Sequence, residues 1–166
     1  MPLFRPKEFL NKITDFDIEK YKNLGYTTIL VDIDNTLAMP DVELTASDDA
    51  KSFINKLKEN GFKIIIYSNN WKKRVKPFAE SLDCDYVYFT LKPLPFVYWH
   101  TIIKYHLKKK QVLTLGDQII TDCIGANIVG FTPIYVKQLY ERDTWKTKIL
   151  RFFERIIFKF ILHEKM

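Results

Sequence analysis

Along this chain, short apolar runs alternate with longer stretches in which apolar residues recur every three or four positions. The β-branched run at 27–33 predicts a buried strand. A second strand is predicted at 62–67, with Ile64, Ile65 and Ile66 at its centre. Shorter runs at 85–89, 111–115 and 132–136 predict three more. Between them the pattern predicts helices at 47–60, 71–82, 95–107 and 119–128. Thr45 and Asp48 mark the start of the first helix, and Gly61 marks its stop. Pro77 must kink the second helix or begin its second half. Pro95 sits in a first turn, where a helix tolerates proline. Residues 1–23 read as a helical lead-in, and 144–162 as a long amphipathic helix.

Strand followed by helix, repeated along the chain, predicts an α/β fold: a five-stranded parallel sheet covered by helices on both faces. The 166 residues fit one domain, 1–166, large enough to bury a full core without staples. Sheets of this kind bind ligands at the carboxyl ends of their strands. The polar residues just past each strand are therefore the candidate chemistry.

Composition narrows the class. Hydrophobic residues at 47% and charged residues at 28% match an ordinary globular protein and exclude collagen, low-complexity disorder and disulfide scaffolds. The formal charge of +6 suggests an anionic partner: nucleic acid, anionic lipid or a phosphorylated metabolite. Cys84 and Cys123 form no CxxC pair, which argues against a zinc cluster and fits a reducing compartment. The first residues carry charges where a signal peptide needs an apolar run. No window reaches the ~18 uncharged apolar residues of a membrane span. The expectation is a cytoplasmic protein, free or resting on the inner face of a membrane.

The first strand ends in Asp32-Ile33-Asp34-Asn35-Thr36. A carboxylate within an apolar run is costly unless paired or bound to metal, and here there are two. The second strand ends in Ser68-Asn69-Asn70, whose hydroxyl, amides and helix-start N–H groups suit a phosphate oxyanion. Lys92-Pro93 follows the third strand, and a lysine there can reach a phosphate. The fourth ends in Gly116-Asp117, with Asp122 close behind, and such hard oxygens suit Mg²⁺. A turn aspartate, a helix cap or a loop lysine would each explain one of these alone. Coincidence does not explain all four in order at successive strand ends.

This set resembles the haloacid dehalogenase (HAD) superfamily of aspartyl phosphotransferases, over roughly residues 24–136. Ser68-Asn69-Asn70 with Arg74-Val75, Lys92-Pro93, Gly116-Asp117-Gln118 with Thr121-Asp122, and Gly125-Ala126-Asn127 beside Gly130 resemble the YqeG-type branch of its type III phosphatases. The Thr90-Leu91 lead into Lys92 and Pro77 depart from that pattern without touching the catalytic set. The resemblance implies a Rossmann-like three-layer fold and Mg²⁺-dependent hydrolysis of a phosphomonoester. It implies that Asp32 attacks phosphorus to form an aspartyl-phosphate, and that Asp34 protonates the leaving oxygen and then activates water. Ser68, Asn69 and Lys92 would bind the phosphoryl oxygens. Asp32, the backbone carbonyl of Asp34, Asp117 and, more weakly, Asp122 would face the metal.

Only about two dozen residues separate Leu37 from the second strand, and an equally short stretch separates Ser68 from Lys92. Neither holds a cap domain, so the site should be open and suited to a phosphate displayed on something large. Residues 144–162 carry Trp145, Ile149, Phe152, Phe153, Ile156, Phe160 and Ile161 on one broad helical face, and Lys148, Arg151, Arg155 and Lys159 on another. A basic amphipathic helix can lie in an anionic membrane surface, although a terminal helix more often packs its apolar face on the sheet. YqeG-type proteins are related to phosphatidylglycerophosphate phosphatases, which implies an anionic phospholipid head group as substrate and phosphatidylglycerol as product. Two other readings stand beside it: a phosphatase of nucleic-acid ends or nucleotides, and a non-catalytic basic adaptor for RNA or membrane. The first lacks a visible aromatic-interleaved basic groove, so nucleic acid is not favoured. The second has no need of both Asp32 and Asp34. His100, His106 and His163 lack metal-ligand spacing, and Tyr98 and Trp99 read as core.

Overall fold

The structure, a computed structural model, describes residues 3–40 and 43–140. The helix expected at 144–162 lies outside the described residues. In chain order the elements are β1 (Glu8–Leu10), α1 (Ile18–Asn23), β2 (Thr28–Val31), α2 (Asp48–Glu59), β3 (Lys63–Tyr67), α3 (Lys72–Ser81), β4 (Asp85–Val87), α4 (Pro95–Tyr105), β5 (Val112–Gly116), α5 (Ile124–Val129) and β6 (Thr132–Val136). All strands pair in parallel in the order β1-β6-β5-β2-β3-β4.

The apolar runs become central strands because both of their faces are covered. Ile29 and Val31 of β2 point into one core with Phe53, Ile54 and Leu57 of α2 and Val75 and Phe78 of α3. Leu30, Ile65 and Tyr67 point the other way, against Tyr98 of α4 and Ala126 and Val129 of α5. This alternation across a pleated sheet gives the expected three layers.

The sheet has six strands, not five. The extra one, β1, lies in the segment expected to be only helical, which also holds a short 3₁₀ turn, Ile13–Asp15, and α1. It pairs with β6, buries Leu10, and sets Phe9 against the ring of Tyr135 with centroids 5.5 Å apart. One further detail differs. Ser47, not Thr45, caps α2, its hydroxyl accepting from the Ala50 N–H at 3.3 Å. Helix α3 runs through Pro77. Pro95 opens α4 as expected.

Candidate active site

The chain reverses direction across the sheet at β2. From β2 it steps to β3 and β4 on one side, then crosses to β5 and β6 on the other. The crevice between β2 and β5 at their carboxyl ends is thus the topological switch point, where such sheets bind ligands. Asp32 sits there, its N–H bonded to the Leu115 carbonyl at 3.0 Å, and Asp117 follows β5 directly. Beyond Asp32 the chain turns tightly: the Ile33 carbonyl accepts from the N–H groups of Thr36, Leu37 and Ala38. Asn35 adopts φ +60, a left-handed conformation that asparagine tolerates. The turn holds the two aspartates at the mouth.

Asp32 is buried against Lys92. The Lys92 ammonium donates to Asp32 Oδ1 at 2.6 Å, to Asp122 Oδ1 at 2.6 Å and to the Tyr67 carbonyl at 3.2 Å. Burial opposes the charge on Lys92, but the carboxylates of Asp122 and Asp32 outweigh it and hold the ammonium well above the ordinary lysine range. Burial pushes the Asp32 carboxyl up to about 7, with Asp122 and Asp34 adding and Lys92 opposing.

Asp122 reaches this site through two local features. Residues Ile119–Cys123 form a single wide π turn leading into α5, a feature that often marks functional sites. Gly116 leaves the room: a Cβ there would lie 2.3 Å from the Asp122 carboxyl carbon. The second Asp122 oxygen accepts from the Gln118 N–H at 3.1 Å.

Carboxylate oxygens of Asp32, Asp117 and Asp122 lie within 4.8 Å of one another. Three such hard donors, gathered in a buried crevice, fit a divalent cation of the Mg²⁺ kind. The Asp34 carboxylate is not in this cluster. It accepts from Arg74 Nη2 at 2.6 Å and Nε at 3.2 Å on one oxygen, and from Asn70 Nδ2 at 2.6 Å on the other. Arg74 is itself buried and fixed by the Met39 and Glu43 carbonyls.

Ser68 is buried at the end of β3 and accepts from the Asn70 N–H at 3.2 Å, leaving its own O–H to donate. Asn69 also anchors the neighbouring loop. Its side-chain oxygen accepts from the Thr90 hydroxyl and the Lys92 N–H, both at 2.7 Å. It ties the loop carrying Lys92 to the end of β3, so it positions that lysine. The crevice therefore gathers Asp32, Ser68, Lys92, Asp117 and Asp122, with Asp34 at its edge. The supporting roles of Asn70 and Arg74 were not read from the sequence. Their only signal there was membership of the second motif.

Residues 8–130 match the haloacid dehalogenase-like hydrolases. The chain belongs to that family. Every residue of the crevice lies inside the matched span. Probable phosphatase YqeG of Bacillus subtilis (strain 168) is 34% identical over 154 residues, which are 93% of this chain and 89% of that protein. Among solved structures, an uncharacterized protein from Listeria monocytogenes serotype 4b has a TM-score of 0.58 at 19% identity, covering 71% of this chain and 84% of its own. D,D-heptose 1.7-bisphosphate phosphatase from B. bronchiseptica, solved with magnesium and phosphate, has a TM-score of 0.52 at 16% identity, covering 68% and 81%. These two share the fold of this HAD-like chain.

Proposed function

We propose that this HAD-like hydrolase is a Mg²⁺-dependent phosphomonoester hydrolase that works through an aspartyl-phosphate on Asp32. The observation that carries the reading is the pairing of Asp32 with Lys92 in a crevice that also gathers Asp117 and Asp122. Its relative in Bacillus subtilis, named a probable phosphatase, supports the reaction class.

An oxygen of Asp32 attacks phosphorus in line, and the ester oxygen leaves with a proton from Asp34. Water then attacks the phosphorus of the aspartyl-phosphate, giving its proton to Asp34 and restoring Asp32 with release of inorganic phosphate. Lys92 and the Ser68 hydroxyl bind the phosphoryl oxygens. Asp34 enters the first step protonated and turned from Arg74 and Asn70; once its proton is on the leaving oxygen, those two residues hold the carboxylate until water returns a proton. Asp32, Asp117 and Asp122 would hold Mg²⁺, which when bound offsets the repulsion between the Asp32 carboxylate and the phosphate.

The substrate we assign is phosphatidylglycerophosphate, cleaved to phosphatidylglycerol. Among the described residues α2 alone lies between β2 and β3, and α3, β4, α4 and a short 3₁₀ turn, Lys109–Gln111, lie between β3 and β5, so neither connection holds a separate domain over the crevice. An open crevice suits a phosphate presented at a bilayer. Among the described residues no helix is long and apolar enough to cross a membrane. We assign the protein to the cytoplasmic face, with 144–162 as a peripheral contact.

A panel of phosphorylated lipids, nucleotides, sugars and oligonucleotides, assayed with and without Mg²⁺, tests this. The expected result is Mg²⁺-dependent hydrolysis with phosphatidylglycerophosphate preferred. Preference for nucleotides or oligonucleotide ends would replace the lipid assignment, and inertness towards every ester would overturn the enzyme.

A further inference from the structure

Large exposed apolar side chains concentrate in one segment of the described chain. Of the fourteen that stand exposed among the described residues, six fall between Tyr88 and Trp99. A seventh, Trp71, stacks on Phe89 with ring centroids 4.7 Å apart. This patch borders the mouth of the crevice. Trp71 follows Asn70, whose amide holds Asp34, and the Phe89 N–H donates to the Asn70 carbonyl at 2.9 Å.

The loop that carries Lys92 sorts its side chains by direction. Thr90 and Lys92 turn inward, at 0% and 8% exposure, while Phe89 and Leu91 turn outward at 40% and 45%. Phe89 and Leu91 hold this with φ +50 and +51, a backbone region that bulky side chains avoid. The outward display is thus kept against local preference, which is the kind of strain found at functional surfaces.

Along the two segments that supply the patch, the charge has one sign. No Asp or Glu occurs between Glu59 and Glu80, or between Asp85 and Asp117. Lys72 and Lys73 are exposed beside Trp71, and the Lys72 ammonium lies 5.9 Å from the centre of the Tyr88 ring.

From this juxtaposition we infer that the rim formed by Trp71, Phe89, Leu91, Leu94 and Phe96 seats the open crevice on an anionic phospholipid bilayer. Aromatic and leucine tips with lysines close by, and no carboxylate among them, match the boundary between acyl chains and anionic head groups. A rim flush with the leaflet would bring a lipid phosphate to Asp32 without lifting the lipid from the bilayer. The inference rests on the lipid-phosphate reading above, and it names a surface separate from 144–162.

Trp71 is its own reporter. Trp99→Phe with Trp145→Phe leaves it as the sole tryptophan. Adding phosphatidylglycerol vesicles with brominated acyl chains should shift its emission to the blue and quench it, and neutral phosphatidylcholine vesicles should do neither. Leu94→Ser with Phe96→Ser should weaken binding to the anionic vesicles by roughly tenfold or more. Emission unchanged in vesicles that sediment the protein would overturn the inference, since binding would then use another surface. Emission already blue and unresponsive would overturn it as well, since a second copy or residues 141–166 would then cover the rim. Failure of the substrate reading shows elsewhere. If phosphatidylglycerophosphate in detergent micelles is not hydrolysed, the lipid assignment falls whatever Trp71 reports. If it is hydrolysed and Trp71 stays in water, only the rim is wrong.

Discussion

Asp32 and Asp34 stand two residues apart on one turn, in opposite settings. Asp32 is buried, shares the Lys92 ammonium with Asp122 and lies in the acidic cluster. Asp34 lies at the edge, more exposed, and gives both oxygens to Arg74 and Asn70. Burial beside a fixed cation suits a nucleophile that must stay aimed at phosphorus. An edge position is open to a leaving group and to water, the two partners the proposed acid and base must reach. In the proposed reaction, environment rather than residue type divides the labour between the two carboxylates.

The sharpest way to break the comparison is to neutralise each aspartate alone. Asp32→Asn keeps the shape but replaces the attacking carboxylate with a poorly nucleophilic amide, so turnover of any phosphate ester should fall on the order of 10⁴-fold or more. Asp34→Asn should cost less, about 10²–10⁴-fold, and the loss should shrink for esters whose leaving group needs no proton. Measuring kcat for an alkyl and a nitrophenyl phosphate with both variants separates the two; equal losses on both esters would mean that Asp34 is no acid.

Lys92→Met tests the buried half through stability. It removes the cation shared by Asp32 and Asp122 and leaves carboxylates buried without it. Breaking a buried pair in this way costs about 3–5 kcal/mol, readable as a lower urea midpoint in the presence of chelator. Lys76→Met serves as the contrast: its ion pair with Glu80 is exposed, so the change should stay within about 1 kcal/mol.

The smallest effect is a pH dependence. Burial first of all raises the folded Asp32 carboxyl from 3.8 to about 7. The folded state therefore favours the protonated form. The stability this contributes is fully present below the unfolded value and is lost as pH rises towards about 7. In chelator, the urea midpoint of Asp32→Asn should accordingly gain on that of the parent between pH 4 and 7 and then level off. A constant difference across that range would show that Asp32 is charged throughout.

Much of this was legible because burial on both faces leaves unbroken apolar runs, as in β2 and β3, and because the site residues close those runs. The short strand β1 was not legible: three residues, Glu8–Leu10, carry too little periodicity, and only pairing with β6 makes them a strand. The position of Asp122 was legible but its route was not, since no pattern announces the π turn or the space left by Gly116. Asn69 reads as a phosphate ligand from its place after Ser68, but its second task was not legible: its oxygen accepts from Thr90 and Lys92 and anchors their loop. Trp99 was expected in the core beside Tyr98. Adjacent residues on a helix point about 100° apart, so Tyr98 fills the space under Gly125 while Trp99 faces out.

The central claim is that Asp32 becomes covalently phosphorylated. Trapping the enzyme during turnover with borohydride, which reduces an acyl phosphate to an alcohol, and sequencing the peptides by mass spectrometry tests it directly. The account predicts homoserine at position 32, dependent on substrate, with Asp34, Asp117 and Asp122 unmodified. Reduction at any of those three, or steady turnover with no modified residue, would contradict it.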